Sequence, residues 1–385
     1  MAIRSNIDPI QQARRLVADL LAPSAASYWA DFAASLIVGY GAAGVYLAAE
    51  PFSTEQILCW IVAGIALFRL SLFMHEIVHF RRGEMTAFKV AWNLLAGIPL
   101  LMPSFLYEHH LAHHNANHYG TPRDGEYLPL GVARLRTLAA YLAQILFLPI
   151  LVVIRFLIIT PVSFLHPRLR QFALERLSPL VINLVHRREI PKDAPRATWA
   201  AVEIACCLRT LAMFSFLVTS ELAIGGHVVE LGWGRLLKLY VLALLALGLN
   251  HLRTLAAHRY ESDGDRRSFA EQLDDSVNVE GRTALVVLFF PVGLRYHALH
   301  HLFPSIPYHN LAEAHRRIMR DLPEWEAYRR ATYPTFLAAI QDLWRSSRRA
   351  CASPSPGEDR WFATRREVFS GATAPSAEPK SLSAA

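Results

Sequence analysis

The sequence predicts an all-α integral membrane protein with four transmembrane helices in two hairpins, interfacial or re-entrant helices between them, and a histidine-rich cap on the cytoplasmic face. Three observations predict it. Hydrophobic residues make up 53% of the 385-residue chain and charged residues only 18%, where a soluble domain has about 45–50% and about 25%. Polar loops alternate between basic and non-basic, as they do on the two sides of a bilayer. Seventeen histidines, nearly as many as the 19 glycines, fall largely in tight clusters.

Residues 1–30 read as a cytoplasmic N-terminal segment. Arg4, Asp8, Arg14, Arg15 and Asp19 interrupt its apolar residues, so it lacks the core of a signal peptide and no cleaved export signal is expected. Phe32–Ala49 is an uncharged run of 18 residues, enough to cross a hydrocarbon core about 30 Å thick. Gln56–Met74 follows with Arg69 as its only charge, and the connector Glu50–Glu55 has no Lys or Arg. Further apolar stretches are Phe88–Tyr107, Leu138–Leu165, Trp199–Leu222 and Leu236–Ala257. The loop His166–Thr198 carries Arg168, Arg170, Arg176, Arg187, Arg188, Lys192 and Arg196 against three acidic residues, which marks it cytoplasmic. Ala223–Gly234 has no Lys or Arg and marks the opposite side. Trp199–Leu222 therefore goes out and Leu236–Ala257 returns, as Phe32–Ala49 and Gln56–Met74 do. Phe88–Tyr107 and Leu138–Leu165 must then re-enter or lie along the interface, and Pro99, Pro103, Pro149 and Pro161 suit broken or tilted helices. On this reading residues 31–349 form the membrane domain, and the Ser/Pro/Ala-rich residues 350–385 form a disordered tail.

The net charge of +7 comes from basic residues dispersed among apolar runs, which is the pattern of a positive-inside membrane protein and not of a nucleic-acid binder. Nearly all of them are Arg, a codon-usage mark of a GC-rich genome, so a bacterial plasma membrane is expected. Cys59, Cys206, Cys207 and Cys351 form no CxxC and read as small hydrophobes, not a disulfide framework or zinc site.

Four histidine clusters carry the chemistry: His75-Glu-Ile-Val-His79, His109-His110-Leu-Ala-His113-His114, His297-Ala-Leu-His300-His301, and the single His258 at the inner end of the last span. On a helix, positions i and i+4 share a face and i+3 lies beside them. HxxxH thus offers two imidazoles to one point and each HxxHH three, and imidazole suits Fe, Zn, Cu or Ni. The topology gathers all four clusters on the cytoplasmic face. Nine nitrogens exceed what one metal accepts, so two metals are expected. His166, His186, His227, His309 and His315 stand alone and are given no metal role. His75-Glu76 through His79 is also literally HExxH, the zinc-protease signature, which makes an intramembrane zinc metalloprotease a remote alternative. That site needs one further carboxylate and leaves both HxxHH clusters unexplained.

At these residues the chain resembles the membrane fatty acid desaturase family, which is recognised by three histidine boxes of the forms HxxxH, HxxHH and HxxHH around four spans. The resemblance covers most of His75 to His315. It extends to Gly120-Thr121-Pro122-Arg123-Asp124-Gly125-Glu126-Tyr127-Leu128 after the second box and Leu302-Phe303-Pro304-Ser305-Ile306-Pro307-Tyr308-His309-Asn310-Leu311 after the third. It implies that His75, His79, His110, His113, His114, His297, His300 and His301 ligate two irons, with O₂ as co-substrate. Stearoyl-CoA desaturases, more distant members, use one more histidine at the end of the last span, and His258 matches it. In those relatives an Asn four residues earlier contributes through a water; here Thr254 stands there, and Asn250 and His251, one turn back, are the substitutes. The implied activity is a fatty acid desaturase-like oxidoreductase that introduces a C=C bond into an acyl chain of a lipid or acyl thioester. Related enzymes share the boxes, so a di-iron alkyl or lipid hydroxylase, sphingoid bases included, or a carotenoid oxygenase is the alternative. Box spacing does not choose between them.

The chemistry fits the ligands. An unactivated methylene offers no acidic proton, so the metals must supply the oxidising power while the protein ligates, orients and keeps the site dry; no separate acid or base is assigned. Partners are expected on the other ring nitrogens: Asp124 and Glu126 first, with Glu76, Glu108 and Asn115 behind them. His109 and His118 are spare ligands. Arg253 and Arg259 flank His258 as juxtamembrane anchors, or meet an acyl headgroup or electron donor. The chain has no haem-binding His-Pro-Gly-Gly, CxxCH, CxxC or dinucleotide loop, so a separate donor is implied: a ferredoxin, a rubredoxin-like or a cytochrome b5-like protein, docking on the Arg-rich face.

Overall fold

The apolar runs become helices, and the polar segments between them fold into a cap. The computed structural model describes residues 8–178, 183, 186–219, 221–224, 227–230, 233–281, 284–353 and 356–370. A short helix α1 (Pro9–Leu16), capped by Asp8, leads into α2 (Ala25–Ala48) and α3 (Thr54–His79). Ser24 and Ser53 accept the Ser27 and Gln56 amides at 3.3 and 3.1 Å, which satisfies first-turn donors of both long helices. The two run antiparallel: Arg69 of α3 pairs with Asp31 of α2 (Nε–Oδ1 2.7 Å), and Tyr28 bonds Glu76 at 2.5 Å. The charge that stood alone in the second apolar run is thus neutralised inside the hairpin.

The stretch expected to re-enter after α3 is broken into α4 (Thr86–Trp92), a π-helical turn at Asn93–Gly97 and a 3₁₀ turn at Ser104–Tyr107. Its Trp92 packs fully buried against Phe73 and Phe88 and donates to Leu70 O at 2.9 Å. The second histidine box forms α5 (His110–His113). Then α6 (Leu135–Ile154), a π-helical turn at Arg155–Ile159 and α7 (Thr160–Ser163) make one apolar rod. Helix α8 (Pro167–Arg176) precedes α9 (Arg196–Thr219), a hairpin of β1 (Glu221–Ile224) and β2 (His227–Glu230), and α10 (Trp233–Thr254). Buried Glu203 of α9 binds Arg155 and Arg170, and Arg155 also donates to Thr160, Leu177 and Ser178 at 2.6–2.8 Å, so no charge there is left bare.

Among the described residues five helices are long and apolar enough to cross a membrane: α2, α3, Leu135–Ser163, Arg196–Ser215 of α9 and Gly234–Thr254 of α10. The sequence predicted four. The extra candidate, by length and composition alone, is the segment assigned to the interface on the strength of its prolines. Pro149 lies inside α6 without ending it, and the π-helical pairing at Arg155–Ile159 absorbs the disruption ahead of Pro161.

Helices α3 and α10 lie side by side in the same direction. Trp60 donates to Val241 O at 3.3 Å, and four residues on, a Cβ at Gly64 would collide with Leu245. Continued along both helices, this register carries His75 and His79 to the same end as residues 256–260. That end is covered by α11 (Phe269–Asp275), β3 (Asn278–Val279), α12 (Ala284–Phe289), α13 (His297–Leu302), α14 (Leu311–Asp321), α15 (Glu326–Arg330), β4 (Thr332–Tyr333) and α16 (Phe336–Cys351). Strands β3 and β4 pair in parallel, Asn278 with Thr332.

The tail expected to be disordered is helical over α17 (Gly357–Ser370); residues 371–385 lie outside the described residues. Trp361 is fully buried with Tyr119, Tyr127 and Tyr260, and its Nε1 donates to Gly120 O at 3.2 Å. Buried Glu358 accepts from Arg134 (2.7 Å) and Thr137 (2.6 Å). The Ser/Pro/Ala composition that suggested disorder belongs to the residues on either side of this segment.

Candidate metal centre

The nine histidines singled out from sequence gather at the inner end of α3 and α10 in two groups. His75, His79, His110, His114 and His300 form one, His113, His258, His297 and His301 the other, and within each group the candidate ligand atoms lie within 4.8 Å of one another. The grouping corrects one expectation. An HxxHH box does not present three imidazoles to one point. In each box the i, i+4 pair enters one group and the third histidine enters the other: His110 and His114 against His113, His297 and His301 against His300. Each box therefore ties both groups together.

Backbone pairing sets the second group. Arg259 N–H donates to Asp275 O and Val277 N–H to Ala257 O, at 2.6 and 2.9 Å, so the residues around His258 run antiparallel to Ser276. Ala298 N–H reaches Val277 O at 3.3 Å and Leu299 N–H reaches Asn278 Oδ1 at 3.1 Å, which fixes α13 against the same strand. Gly120 sits at φ +70°, where a Cβ would stand 2.9 Å from Ser262 Cβ, and its N–H donates to Asp124 Oδ2 at 3.0 Å.

Hydrogen bonds to the outer nitrogens decide where the lone pairs point. Asp124, fully buried, accepts from His113 Nδ1 at 2.8 Å; the carboxylate is acceptor-only, so Nδ1 carries the proton and Nε2 is bare. Tyr119 donates to Asp275 Oδ2 at 2.7 Å, so its oxygen accepts from His258 Nδ1 at 2.8 Å and leaves that Nε2 bare too. The two bare nitrogens face each other at 3.1 Å, and His297 Nε2 lies 2.9 Å from His258 Nε2. Lone pairs so close repel unless a cation, metal or proton, lies among them. In the first group, Nε2 pairs approach to 3.1 Å at His110–His114 and His79–His300, and both nitrogens of His75 are buried with no hydrogen bond among the described residues. The residues present thus fit a pair of metal ions held by neutral imidazoles.

Electrostatics agree. Burial, reinforced by neighbouring imidazoles, holds His110, His114, His258, His297, His300 and His301 well below the ordinary histidine range, so they stay neutral as ligands must. His113 is the exception: burial opposes its charge, but the Asp124 carboxylate outweighs it and raises the pKa, so a metal bound there must displace a proton from Nε2.

The remaining candidates divide. Glu76 accepts from Tyr28 and from Tyr308 N–H (3.0 Å) and stands 3.5 Å from His75 Nδ1. Glu126, expected on a box histidine, instead meets His109 Nε2 and Tyr107 Oη, each at 3.3 Å. Tyr107 in turn stacks on His110 with centroids 4.7 Å apart. Thr254, also expected beside the metals, turns its hydroxyl back onto Asn250 O at 2.9 Å, as a helical threonine readily does, and bonds to none of the nine histidines among the described residues. His251 Nδ1–H donates to Leu247 O and its ring lies against Tyr141; Glu108 pairs with Arg188; Asn115 Oδ1 accepts Asn117 N–H. His109 and His118 belong to neither group. His166 caps α8, His309 accepts Ser24 N–H, His315 meets Tyr328 and Glu280, and His186 lies against His109; the side chain of His227 is outside the described residues. Among the described residues no further carboxylate belongs to the group of His75 and His79, as a zinc-protease site would require. Sequence reasoning missed Tyr119, which lies 139 residues from His258 and leaves no local signal, and with it Asp275, which reaches His258 through Tyr119.

Comparison with known proteins gives two findings. A family model described as fatty acid desaturase matches residues 55–333. A ceramide hydroxylase of Caulobacter vibrioides (strain NA1000 / CB15N) is 40% identical over 346 residues, which cover 89% of this chain and 95% of the relative.

Proposed function

The chain belongs to the fatty acid desaturase family, and from that premise we propose that it is an O₂-dependent di-iron hydroxylase of ceramide-type lipids. The observation that carries the di-iron part is the double histidine group, five imidazoles and four, with two inner nitrogens stripped of protons by Asp124 and by Asp275 through Tyr119. The nine ligands are His75, His79, His110, His114 and His300 for one iron and His113, His258, His297 and His301 for the other. What favours hydroxylation is the relative, a ceramide hydroxylase, whose likeness to this chain runs nearly end to end. Desaturation of an acyl chain, the first expectation from sequence, is the second reading, supported by the family match.

Two irons held there would supply the O₂ activation that an aliphatic C–H bond requires. The chain's own residues do the rest. Asp124 and Tyr119 orient His113 and His258 and keep them from binding their protons on the metal side. Seven of the nine rings are buried and His79 and His114 are half-buried at the cap's base, which limits access of water. Hydroxylation takes two electrons and two protons per O₂, forms one C–O bond and releases one water. The electrons come from a separate ferredoxin, rubredoxin-like or cytochrome b5-like donor. We retain two hairpins, α2–α3 and α9–α10, with the histidine end cytoplasmic in a bacterial plasma membrane, residues 31–349 forming the membrane domain.

The test is mass spectrometry of lipids from cells expressing the protein or a His258→Ala control. Ceramides that gain one oxygen only with the intact protein support hydroxylation; acyl chains that lose two hydrogens support desaturation. Purified protein holding zinc and no iron would sink both.

A further inference from the structure

An open groove of about 630 Å³, a size common among ligand sites, lies between α8 and α17. Arg168, Gln171, Phe172, Glu175 and Arg176 form one wall, and their spacing puts them on a single face of α8. Arg187 and Arg365 complete it. Four guanidiniums thus border one space, and Glu175 is the one carboxylate among the described lining residues. That carboxylate already meets Arg187 at 2.7 Å. The excess of positive charge in a concave site draws an anion, and the planar fork of arginine suits the oxygens of a phosphate.

The groove stands at the histidine end of the molecule. Arg188 N–H donates to Glu175 O at 2.8 Å, and the Arg188 guanidinium reaches Glu108, just before the second box, at 3.1 Å. On the opposite wall Trp361, one turn before Arg365, is buried against Gly120. The apolar surface ends at this same level. Helix α8 begins four residues after α7 closes the apolar rod, and Phe164, Leu165, Leu169 and Phe172 are all exposed beside the arginines. Exposed Phe and Leu next to Arg mark a helix lying in a bilayer interface, acyl chains against the first and phosphates against the second. A soluble acidic protein seated on the arginines would leave those apolar side chains in water.

We propose that this groove binds the phosphodiester of an anionic phospholipid, with Arg168, Arg176, Arg187 and Arg365 donating to its oxygens and Leu169 and Phe172 meeting its acyl chains. The site is separate from the metal centre and holds whichever lipid the irons oxidise. Because its walls belong to α8 and α17, a bound phospholipid fastens the helix that braces the Asp124 loop to the membrane-facing helix beside it.

The experiment measures binding of labelled phosphatidylglycerol to the full-length, iron-loaded protein in detergent, with phosphatidylcholine and soluble glycerol phosphate as competitors and Tm alongside. Phosphatidylglycerol should bind about 10-fold or more tightly than phosphatidylcholine, glycerol phosphate should compete poorly, and Tm should rise with phosphatidylglycerol, which binds the folded state. Arg176→Gln combined with Arg365→Gln should weaken phosphatidylglycerol binding about 10-fold or more and leave the lipid-free Tm unchanged. Arg345→Gln combined with Arg348→Gln, on exposed positions of α16, should leave binding as in the wild type. Equal affinity for the two phospholipids would overturn the proposal, as would equal loss in both double variants, which would mark diffuse surface charge. Glycerol phosphate competing as well as the lipid would assign the groove to a soluble phosphate instead. A groove variant that keeps lipid binding but needs about 10-fold more of an acidic ferredoxin for turnover would assign it to the electron donor. A lipid-free Tm that falls in step with binding would mark a structural role and overturn it too.

Discussion

Asp124 is the residue on which the second iron should depend most strongly. It is fully buried and collects three donors: His113 Nδ1–H (2.8 Å) and Gly120 N–H (3.0 Å) on Oδ2, and Glu126 N–H (2.9 Å) on Oδ1. Asp124→Asn preserves volume but removes the charge and turns one acceptor into an NH₂. In one orientation that NH₂ faces the Glu126 amide; in the other it faces both His113 and Gly120. The first is the lesser cost: His113 keeps a neutral bond and one buried donor is orphaned. That loss is about 1.5–3 kcal/mol, or roughly 10–100-fold in the affinity of a metal bound through His113 Nε2, the range expected for removing such a partner. The assay is iron per chain after equilibration with graded chelator, with Tm as a check on folding. We expect the iron of the four-histidine group to be released at roughly 10–100-fold lower chelator concentration, while the five-histidine group keeps its own. Wild-type retention of both irons would refute the argument that the carboxylate sets the His113 tautomer.

Four further outcomes are expected. His258→Ala should lower iron content and abolish activity while leaving membrane insertion intact; full activity would show that His258 is no ligand. Tyr119→Phe removes the oxygen that takes the His258 Nδ1 proton and should weaken iron retention, though less than Asp124→Asn because Ser276 Oγ stands 3.4 Å away as a substitute, a ranking that chelator titration checks directly. The bond from Arg134 holds Asp359 below its ordinary pKa; a carboxylate lowered on folding stabilises above the unfolded value near about 3.9 and loses that contribution as pH falls through the folded one. Helix α17 should therefore become more open to acid proteolysis below about pH 4, and an unchanged cleavage rate would count against it. Finally, turnover with an acidic electron donor should fall as salt rises and after charge reversal of surface arginines, since the docking force is long-range charge attraction; activity indifferent to both would remove the docking surface.

The metal centre was legible because ligand spacing is local: HxxxH and HxxHH are written within one helical turn, and the charge alternation of the loops brings distant turns to one end. The division of each box between two groups was not. Neighbouring positions on a helix face look equivalent in a string, and only the flanking α3 and α10 assign His113 and His110 to different partners. Asp124 was found because it lies eleven residues from His113, whereas Asp275 acts through Tyr119 across 156 residues. Pro149 misled because a missing N–H is a stop signal only where nothing else sustains the helix. The C-terminal helix was hidden by averaging: Glu358 and Asp359 in its first turn and the apolar Trp361 and Phe362 are helix signals, diluted by their Ser/Pro/Ala flanks.

The docking of Trp361 against Gly120 has a bearing on biogenesis. Synthesis is vectorial, so all nine histidines are made before the residue that braces the Asp124 loop. Until α17 arrives, a nascent chain offers clusters of imidazoles whose geometry is incompletely held. Loosely held imidazoles rank metals by intrinsic affinity, and copper and zinc then outcompete ferrous iron. On the di-iron reading the late strap would shape the cluster, and fidelity of metal choice would depend on its arrival.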